Sequence, residues 1–485
     1  VTDDPATTAI PPAPGIAKPP HHLTVAEAAA AIARRALSPV ELAEAILDRI
    51  ARVEPAVAAF AHRYPVHEVL ARAHAAEALL RDGRRTGPLH GIPVGIKDNY
   101  LTEGKPTENN SRVHAGYIPD HDATAVRALK NAGAVILGKT HTAELALGDL
   151  PPTRNPWDPY RVPGYSSAGS AAGVAAGEFP LGLGSDTGGS IRWPAACVGV
   201  SGFKPTRGRI DTFGVMPLSP SLDHAGVLAA GALDAALAVD VLTTGPRRRD
   251  LADRLEQLPA HHPLRGLTVG VPAATDYFRG VPDDDQLTAF DAALDILRRQ
   301  GATLRTVVTR PVPAPLADID DLSHPILLTE LAAPRIDELA RRPLDFGPVI
   351  RARIAVGAAI PADDYAATRH ARRIWSRRFL ELFDDIDVFV HPEDEIAAPT
   401  ADSGHTDPPP KRPSSGNKWR PWNLAGAPSI SIPTGFAPAS GMPLSMQCAA
   451  APDNDAAALV IAHAFQLATD FHTRRPPLEG SARSR

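Results

Sequence analysis

Residues 181–210 read LGLGSDTGGSIRWPAACVGVSGFKPTRGRI, and residues 164–177, shortly before them, read GYSSAGSAAGVAAG. Small residues this dense fill little volume, so the backbone here must let something approach closely. Within the first string, Asp186-Thr187-Gly188-Gly189-Ser190 sets two glycines directly before a serine. Glycines there free several backbone N–H groups to converge near the hydroxyl, which is what an oxyanion hole requires. Ser190 is thus a candidate nucleophile, and a serine nucleophile needs a base.

No histidine lies beside it. His90, His141 and His224 are candidates elsewhere in the chain, but none has a carboxylate partner legible in the sequence. The other candidate is Lys97, in Gly95-Ile96-Lys97-Asp98, wedged among apolar and glycine neighbours where a surface lysine is out of place. Burial lowers a lysine's affinity for its proton, and the neutral amine can then act as a base. The loop Gly164-Tyr165-Ser166-Ser167-Ala168-Gly169-Ser170 could link the two. The string GLGSDTGGS lacks the Lys-Ser/Thr ending of a phosphate loop, and no His-Glu-x-x-His helix offers a zinc site.

Outward from this centre, short strands alternate with helices. GIPVGIK (91–97), GAVILGK (133–139), Leu267–Val271, Asp387–His391, PSISIPTG (428–435) and MPLSMQ (442–447) read as strands. Val25–Ala36, Val69–Leu80, Ala123–Ala132, Gln286–Gln300 and Ala456–Ala468 read as helices, with a further helical turn at His141–Ala146. Ser38-Pro39-Val40-Glu41 opens another helix, with a serine cap, proline in the first turn and a capping-box glutamate. The pattern predicts an α/β fold around a mixed or parallel sheet. We expect a flexible tail over 1–22, a helical segment over 23–85 and a catalytic domain over 86–485. Within that domain, 310–380 reads as a helical insertion bounding the substrate pocket and 398–418 as a polar loop.

The 485 residues hold 50 prolines and 37 glycines, more than usual yet short of a low-complexity composition. Fifty basic residues against 55 acidic ones give a net charge of -5, with only short basic runs such as Arg247–Arg249. A protein that lives on phosphate contacts normally carries a basic excess, so no nucleic-acid partner is expected. Cys197 and Cys448, both in apolar sequence, read as small buried hydrophobes rather than a disulfide framework. No apolar run is long enough to span a bilayer, and VTDDPATTAIPPAPG at the start has no basic segment before an apolar one. The expectation is a cytoplasmic protein with no membrane partner.

The chain closely resembles the amidase signature family. The matching strings are GIPVGIKDNYLTEGKPT, DATAVRALKNAGAVILGKT, NPWDPYRVPGYSSAGSAAGVAAG, LGLGSDTGGSIRWPAACVGVSGFKPTRGRI, SLDHAG, NLAGAPSISIPTG and GMPLSMQ, spread over roughly residues 24–470. The resemblance implies a large central mixed β-sheet covered by helices on both faces, with no cofactor and no metal. It implies a catalytic triad of Ser190 as nucleophile, Ser166 as a bridging serine after a cis peptide bond, and Lys97 as base. The backbone N–H groups of Thr187, Gly188, Gly189 and Ser190 would line the oxyanion hole. Asp186 and Arg192 would hold these loops, and Ser167 and Ser170 would act as hydrogen-bonders beside the relay.

Several positions depart from the usual family sequence. Tyr165 and Asn110 stand where glycine is common, His141 where asparagine is frequent, Trp193 follows the Ser190 loop, and Ser445 replaces a glycine. Tyr165, His141, Trp193 and Asn110 are the candidates for shaping the substrate pocket. The string HTAELALG (141–148) and the string GYSSAG differ from the NMDEFAMG and GGSSGG typical of the A-type component of the tRNA-dependent amidotransferase. On that ground, with the negative net charge, the expected function is a bacterial amidase hydrolysing a small or medium carboxamide or an anilide, its only partners that small molecule and a second copy in a homodimer. An acyltransferase or biosynthetic amidase using an amine acceptor is the alternative. A component of the tRNA-dependent amidotransferase and a biuret- or allophanate-type hydrolase rank below it.

Overall fold

An eleven-stranded mixed sheet runs through the middle of the molecule. The computed structural model describes residues 18–243, 250–273, 282–307, 319–401 and 416–478. Most of the expected tail (1–17), the basic run at 247–249 and most of the expected polar loop (402–415) lie outside the described residues.

The strands are β1 (Phe60–Arg63), β2 (Pro93–Lys97), β3 (Val135–Thr140), β4 (Leu181–Asp186), β5 (Ser201–Lys204), β6 (His224–Ala229), β7 (Thr268–Pro272), β8 (Thr303–Val307), β9 (Val388–Pro392), β10 (Ser429–Phe436) and β11 (Pro443–Ala450). Their spatial order is β1-β3-β2-β4-β6-β5-β10-β11-β9-β7-β8. Parallel pairs lie at β3-β2-β4 and at β9-β7-β8, and antiparallel ones elsewhere. Strands β2, β3 and β4 are buried along their whole length, which explains why they read as continuous apolar or small runs rather than alternating ones.

The helices are α1 (Val25–Ala33), α2 (Pro39–Val57), α3 (Val66–Arg81), α4 (Thr124–Asn131), α5 (Ala168–Ala176), α6 (Arg192–Val198), α7 (Ala232–Leu242), α8 (Leu251–Glu256), α9 (Asp284–Arg299), α10 (Ile319–Ala332), α11 (Ile336–Arg341), α12 (Pro348–Ala358), α13 (Ala362–Leu380), α14 (Gly416–Ala425) and α15 (Asp455–Leu467). Helix α2 starts where its sequence says it should. Ser38 Oγ accepts from the N–H groups of Val40 and Glu41, and Glu41 accepts from the Ser38 N–H. Its buried stripe, Leu42, Ala45, Ile46, Ile50 and Val53, follows the helical period. The expected turn at His141–Ala146 is a 3-10 turn confined to Glu144–Ala146.

Two apolar clusters hold the architecture. The larger joins α1–α3 to the sheet, so that Ile32 and Ile46 share one core with Val94, Leu181 and Phe465. Helices α5 and α6 pack on the sheet, as do α7 and α15. The smaller cluster unites α10, α12 and α13 with Trp422 of α14, where Trp375 stacks on Phe379 at 4.6 Å between ring centres.

Part of the glycine-rich sequence turns out to make room for an aromatic ring. Phe179, between α5 and β4, lies against Gly95, Gly173 and Gly182; a Cβ on Gly95 would stand 2.6 Å from the ring, and one on Gly173 would overlap it. What approaches closely at these glycines is a core side chain, and they form the walls of its slot.

Candidate active site

Lys97 ends β2 and is fully buried. Its amine stands 2.8 Å from Ser166 Oγ, 3.0 Å from Ser167 Oγ and 2.9 Å from Ser185 Oγ, with the Ser185 carbonyl at 3.3 Å. Burial pulls the lysine down to about 7, against the opposing pull of Asp186 and Asp223. A large fraction of the amine is therefore neutral near neutral pH, as a base requires.

Ser166 and Ser167 immediately precede α5. The Ser167 hydroxyl does not cap the helix but donates to the Ser185 carbonyl at 3.2 Å. Ser170, one turn into α5, serves elsewhere. It bonds to the Thr140 hydroxyl at 2.7 Å and donates to the Leu183 carbonyl at 2.7 Å, tying α5 to β3 and β4. Of the two serines expected beside the relay, only Ser167 touches the lysine.

Ser190 lies in the loop between β4 and α6. Asp186 shapes that loop: its carboxylate accepts from the Gly189 N–H at 2.7 Å and the Ile191 N–H at 3.1 Å. Gly189 has φ +116 and its α-carbon faces the Trp419 ring, so a side chain there is excluded on both counts. The Gly189 N–H is thus committed to Asp186. The N–H groups of Thr187, Gly188 and Ser190 have no hydrogen-bond acceptor among the described residues. Gly188 and Ser190 are also the partly exposed members of an otherwise buried loop.

Behind the loop is a fully buried ion pair. Arg192 donates to Asp186 at 2.9 and 3.0 Å, to Asn423 Oδ1 at 2.6 Å and to Gln447 Oε1 at 2.6 Å. Asn423 in turn donates to Asp186 at 2.9 Å. Burial works against the charge of Asp186, but Arg192 and the loop N–H groups hold its carboxyl well below the usual range. On the other side, Thr187 Oγ1 donates to Asp223 at 2.6 Å, and burial raises Asp223 to about 6.

The four residues expected to shape the pocket do not form one wall. The Tyr165 hydroxyl is anchored to the carbonyls of Leu147 and Gly148, with Arg353 at 3.5 Å. Trp193 donates to Asp394 at 2.9 Å and packs beside Trp419, behind the Gly189 loop. His141 follows β3, where its backbone bonds to Ala59 and Gly169; burial, then His62, lowers it to about 4. Asn110 sits in a left-handed turn (φ +52). The side chain that does lie over the Ser190 loop is Arg420, whose Cγ would stand 3.3 Å from a Cβ on Gly188; it pairs with Asp320 on α10.

Ser185, Asn99, Asp223, Asn423, Gln447 and Arg420 were not singled out in the sequence, although all but Arg420 fall within strings quoted above. A groove of about 730 Å³ among Thr86, Arg127, Asn131, Asp211 and Thr243 contains none of the site residues.

Lys97 and Ser166 stand in one buried cluster, while among the described residues no hydrogen bond joins Ser190 to either. The family model described as Amidase matches residues 41–459. The chain belongs to the amidase family, the amidase-signature enzymes. It is 37% identical over 490 residues to the A subunit of glutamyl-tRNA(Gln) amidotransferase from Chloroflexus aggregans, covering 94% of this chain and 99% of the relative. Among solved structures it is similar, at TM-score 0.77 and 28% identity, to the A subunit of the same amidotransferase from Thermotoga maritima, covering 96% and 99% of the two chains. It is also similar, at TM-score 0.83 and 30% identity, to a chain of a vestigial protein complex described as revealing the origins of an s-triazine catabolic enzyme, covering 92% and 98%.

Two expectations are corrected by these relatives. The free-standing amidase for small or medium carboxamides gives way to the reading ranked below it, because near-full-length relatives carry the amidotransferase name. The departures that argued otherwise are local: His141 bonds through its backbone to Ala59 and Gly169, and Tyr165 turns its hydroxyl to backbone carbonyls. The expectation of a small-molecule partner alone, without nucleic acid, falls with it. Net charge misled because it averages over the chain. Helix α13 alone carries five arginines against two aspartates, both in its first turn. Among the described residues, no helix is long and apolar enough to cross a membrane.

Proposed function

We propose that this chain is the amide-cleaving subunit of an amidotransferase whose acceptor is a glutamyl group carried on tRNA. The observation that carries this reading is the 37% identity along nearly the whole of both chains to proteins of that name. The contact of Lys97 with Ser166 supports the chemistry.

In this mechanism Ser190 Oγ attacks the carbonyl carbon of a carboxamide donor. Its proton passes to Ser166, whose own proton passes to the neutral Lys97 amine. The oxyanion that develops is held by the N–H groups of Thr187, Gly188 and Ser190; loss of one such donor typically costs about 2.7–4 kcal/mol of transition-state stabilisation. Gly189 contributes the turn, its N–H being held by Asp186. Lys97 then returns the proton through Ser166 to the departing nitrogen, the C–N bond breaks, and ammonia leaves an ester on Ser190. Water hydrolyses that ester to the carboxylate. The ammonia forms the new amide at the acceptor's side-chain carboxyl once that carboxyl is activated by phosphoryl transfer from a nucleoside triphosphate, the C–N bond forming as the C–O bond to phosphate breaks and phosphate leaves.

The test uses the chain isolated with its bound partners from cells that make it, supplied with ATP and magnesium, with glutamine labelled with ¹⁵N in its side-chain amide and with glutamyl-tRNA(Gln). The expected result is label in the amide of the tRNA-bound residue, lost in Ser190→Ala. Label found only as free ammonia, at a rate indifferent to the tRNA, overturns the transferase reading.

A further inference from the structure

Three hydroxyl oxygens stand at 2.8, 3.0 and 2.9 Å around the one buried amine of Lys97. An ammonium has three N–H donors and no acceptor, so this tripod matches the protonated lysine that exists while Ser190 attacks. No carboxylate bonds to the amine among the described residues. The charged groups facing it are Asp186 at the end of β4 and Asp223 before β6. Each is occupied, Asp186 by Arg192 and Asp223 by Thr187. The neighbouring Asp98 forms its own buried pair with Lys139 at 3.1 Å. The hydroxyls, with the Ser185 carbonyl at 3.3 Å, are therefore the direct acceptors of the new charge, and Asp186 and Asp223 act on it only from a distance.

Two of the three are fixed from behind. Ser167 spends its proton on the Ser185 carbonyl, leaving its oxygen to accept from the lysine. Ser185 Oγ receives the Asn99 amide at 2.9 Å. Asn99 itself is buried, two residues beyond Lys97. With these two oxygens accepting from the neutral amine, both of its N–H groups are engaged and its lone pair is left for the Ser166 proton.

We propose that Ser185, held by Asn99, is a positioning residue that aims the lysine lone pair at Ser166 and stabilises the ammonium formed during attack. The inference rests on Lys97 being the base. It applies whatever the donor.

The test measures the rate at which a fluorophosphonate labels Ser190 as a function of pH, so that no donor need be known. The wild-type rate rises with pH as Lys97 loses its proton. Removing one acceptor of the ammonium makes the lysine a weaker base, so Ser185→Ala moves the midpoint of the rise about one unit lower and lowers the plateau about tenfold. Asn99→Ala shifts the midpoint the same way by less, and serves as the second variant where Ser185→Ala does not fold. A purely structural role that loosens the site and admits water moves the midpoint up, toward an ordinary lysine. A midpoint unmoved or raised in a folded variant overturns the inference. Lys97→Met separates the two levels: wild-type labelling in that variant removes the base assignment and this inference together, whereas silence there with an unshifted Ser185→Ala profile removes only the role of Ser185.

Discussion

A lysine without a counter-ion, fully buried among hydroxyls, is the residue on which the account turns. Its folded-state pKa of about 7 lies below the value of 10.5 for an unstructured lysine. Between those values the unfolded chain binds a proton that the folded chain does not, so this residue's contribution to stability falls as pH drops from about 10 to 7. Lys97→Met removes that dependence. Relative to the variant, the wild type should gain about 1.4 kcal/mol per pH unit over this window, as measured by denaturant unfolding at several pH values. The same substitution should lower turnover by about 10²–10⁴-fold, the usual worth of a general base. Lys97 was legible because the run leading to it, Ile92 to Ile96, is apolar or glycine. Ser185 was not: a serine one residue before Asp186 carries no mark, and its meaning comes from the amine that β2 brings to it.

At the scale of elements, the Ser190 loop and α5 are built by contacts of opposite visibility. The capped start of α2 and the buried runs of β2 and β3 follow from local pattern, and the sequence reading places them within a few residues, whereas β4, masked by its glycines, does not read as a strand. The support of the Ser190 loop does not follow from local pattern, because Arg192 finds Asn423 and Gln447 at separations of 231 and 255 residues. Asp186→Asn leaves Arg192 buried without its countercharge and should cost about 3–5 kcal/mol in chemical denaturation, with loss of Ser190 labelling. The slot around Phe179 makes a second prediction. Gly173→Ala drives a methyl group into the ring and should destabilise the fold by about 1–3 kcal/mol. Adding Phe179→Leu should recover part of that loss, and strictly additive effects of the two changes would count against the slot.

For the whole molecule, motif strings sufficed to define the fold and the family, whereas the expectation of a free-standing amidase, drawn from a few substituted positions and a net charge, is overturned by the relatives. The substitution at Tyr165 is accommodated by bonds to backbone carbonyls; the resemblance that decides the reading is spread over the full chain length, where no single motif displays it. The central claim is that Ser190 carries the acyl group while Lys97 manages its proton through Ser166. Its most direct test is intact-mass analysis of the protein quenched within milliseconds of mixing with glutamine, followed by peptide mapping. The account predicts an acyl adduct on the peptide containing Ser190, absent in Ser190→Ala and greatly slowed in Lys97→Met. Ammonia released without any adduct, or an adduct on another residue that persists in Ser190→Ala, would contradict it.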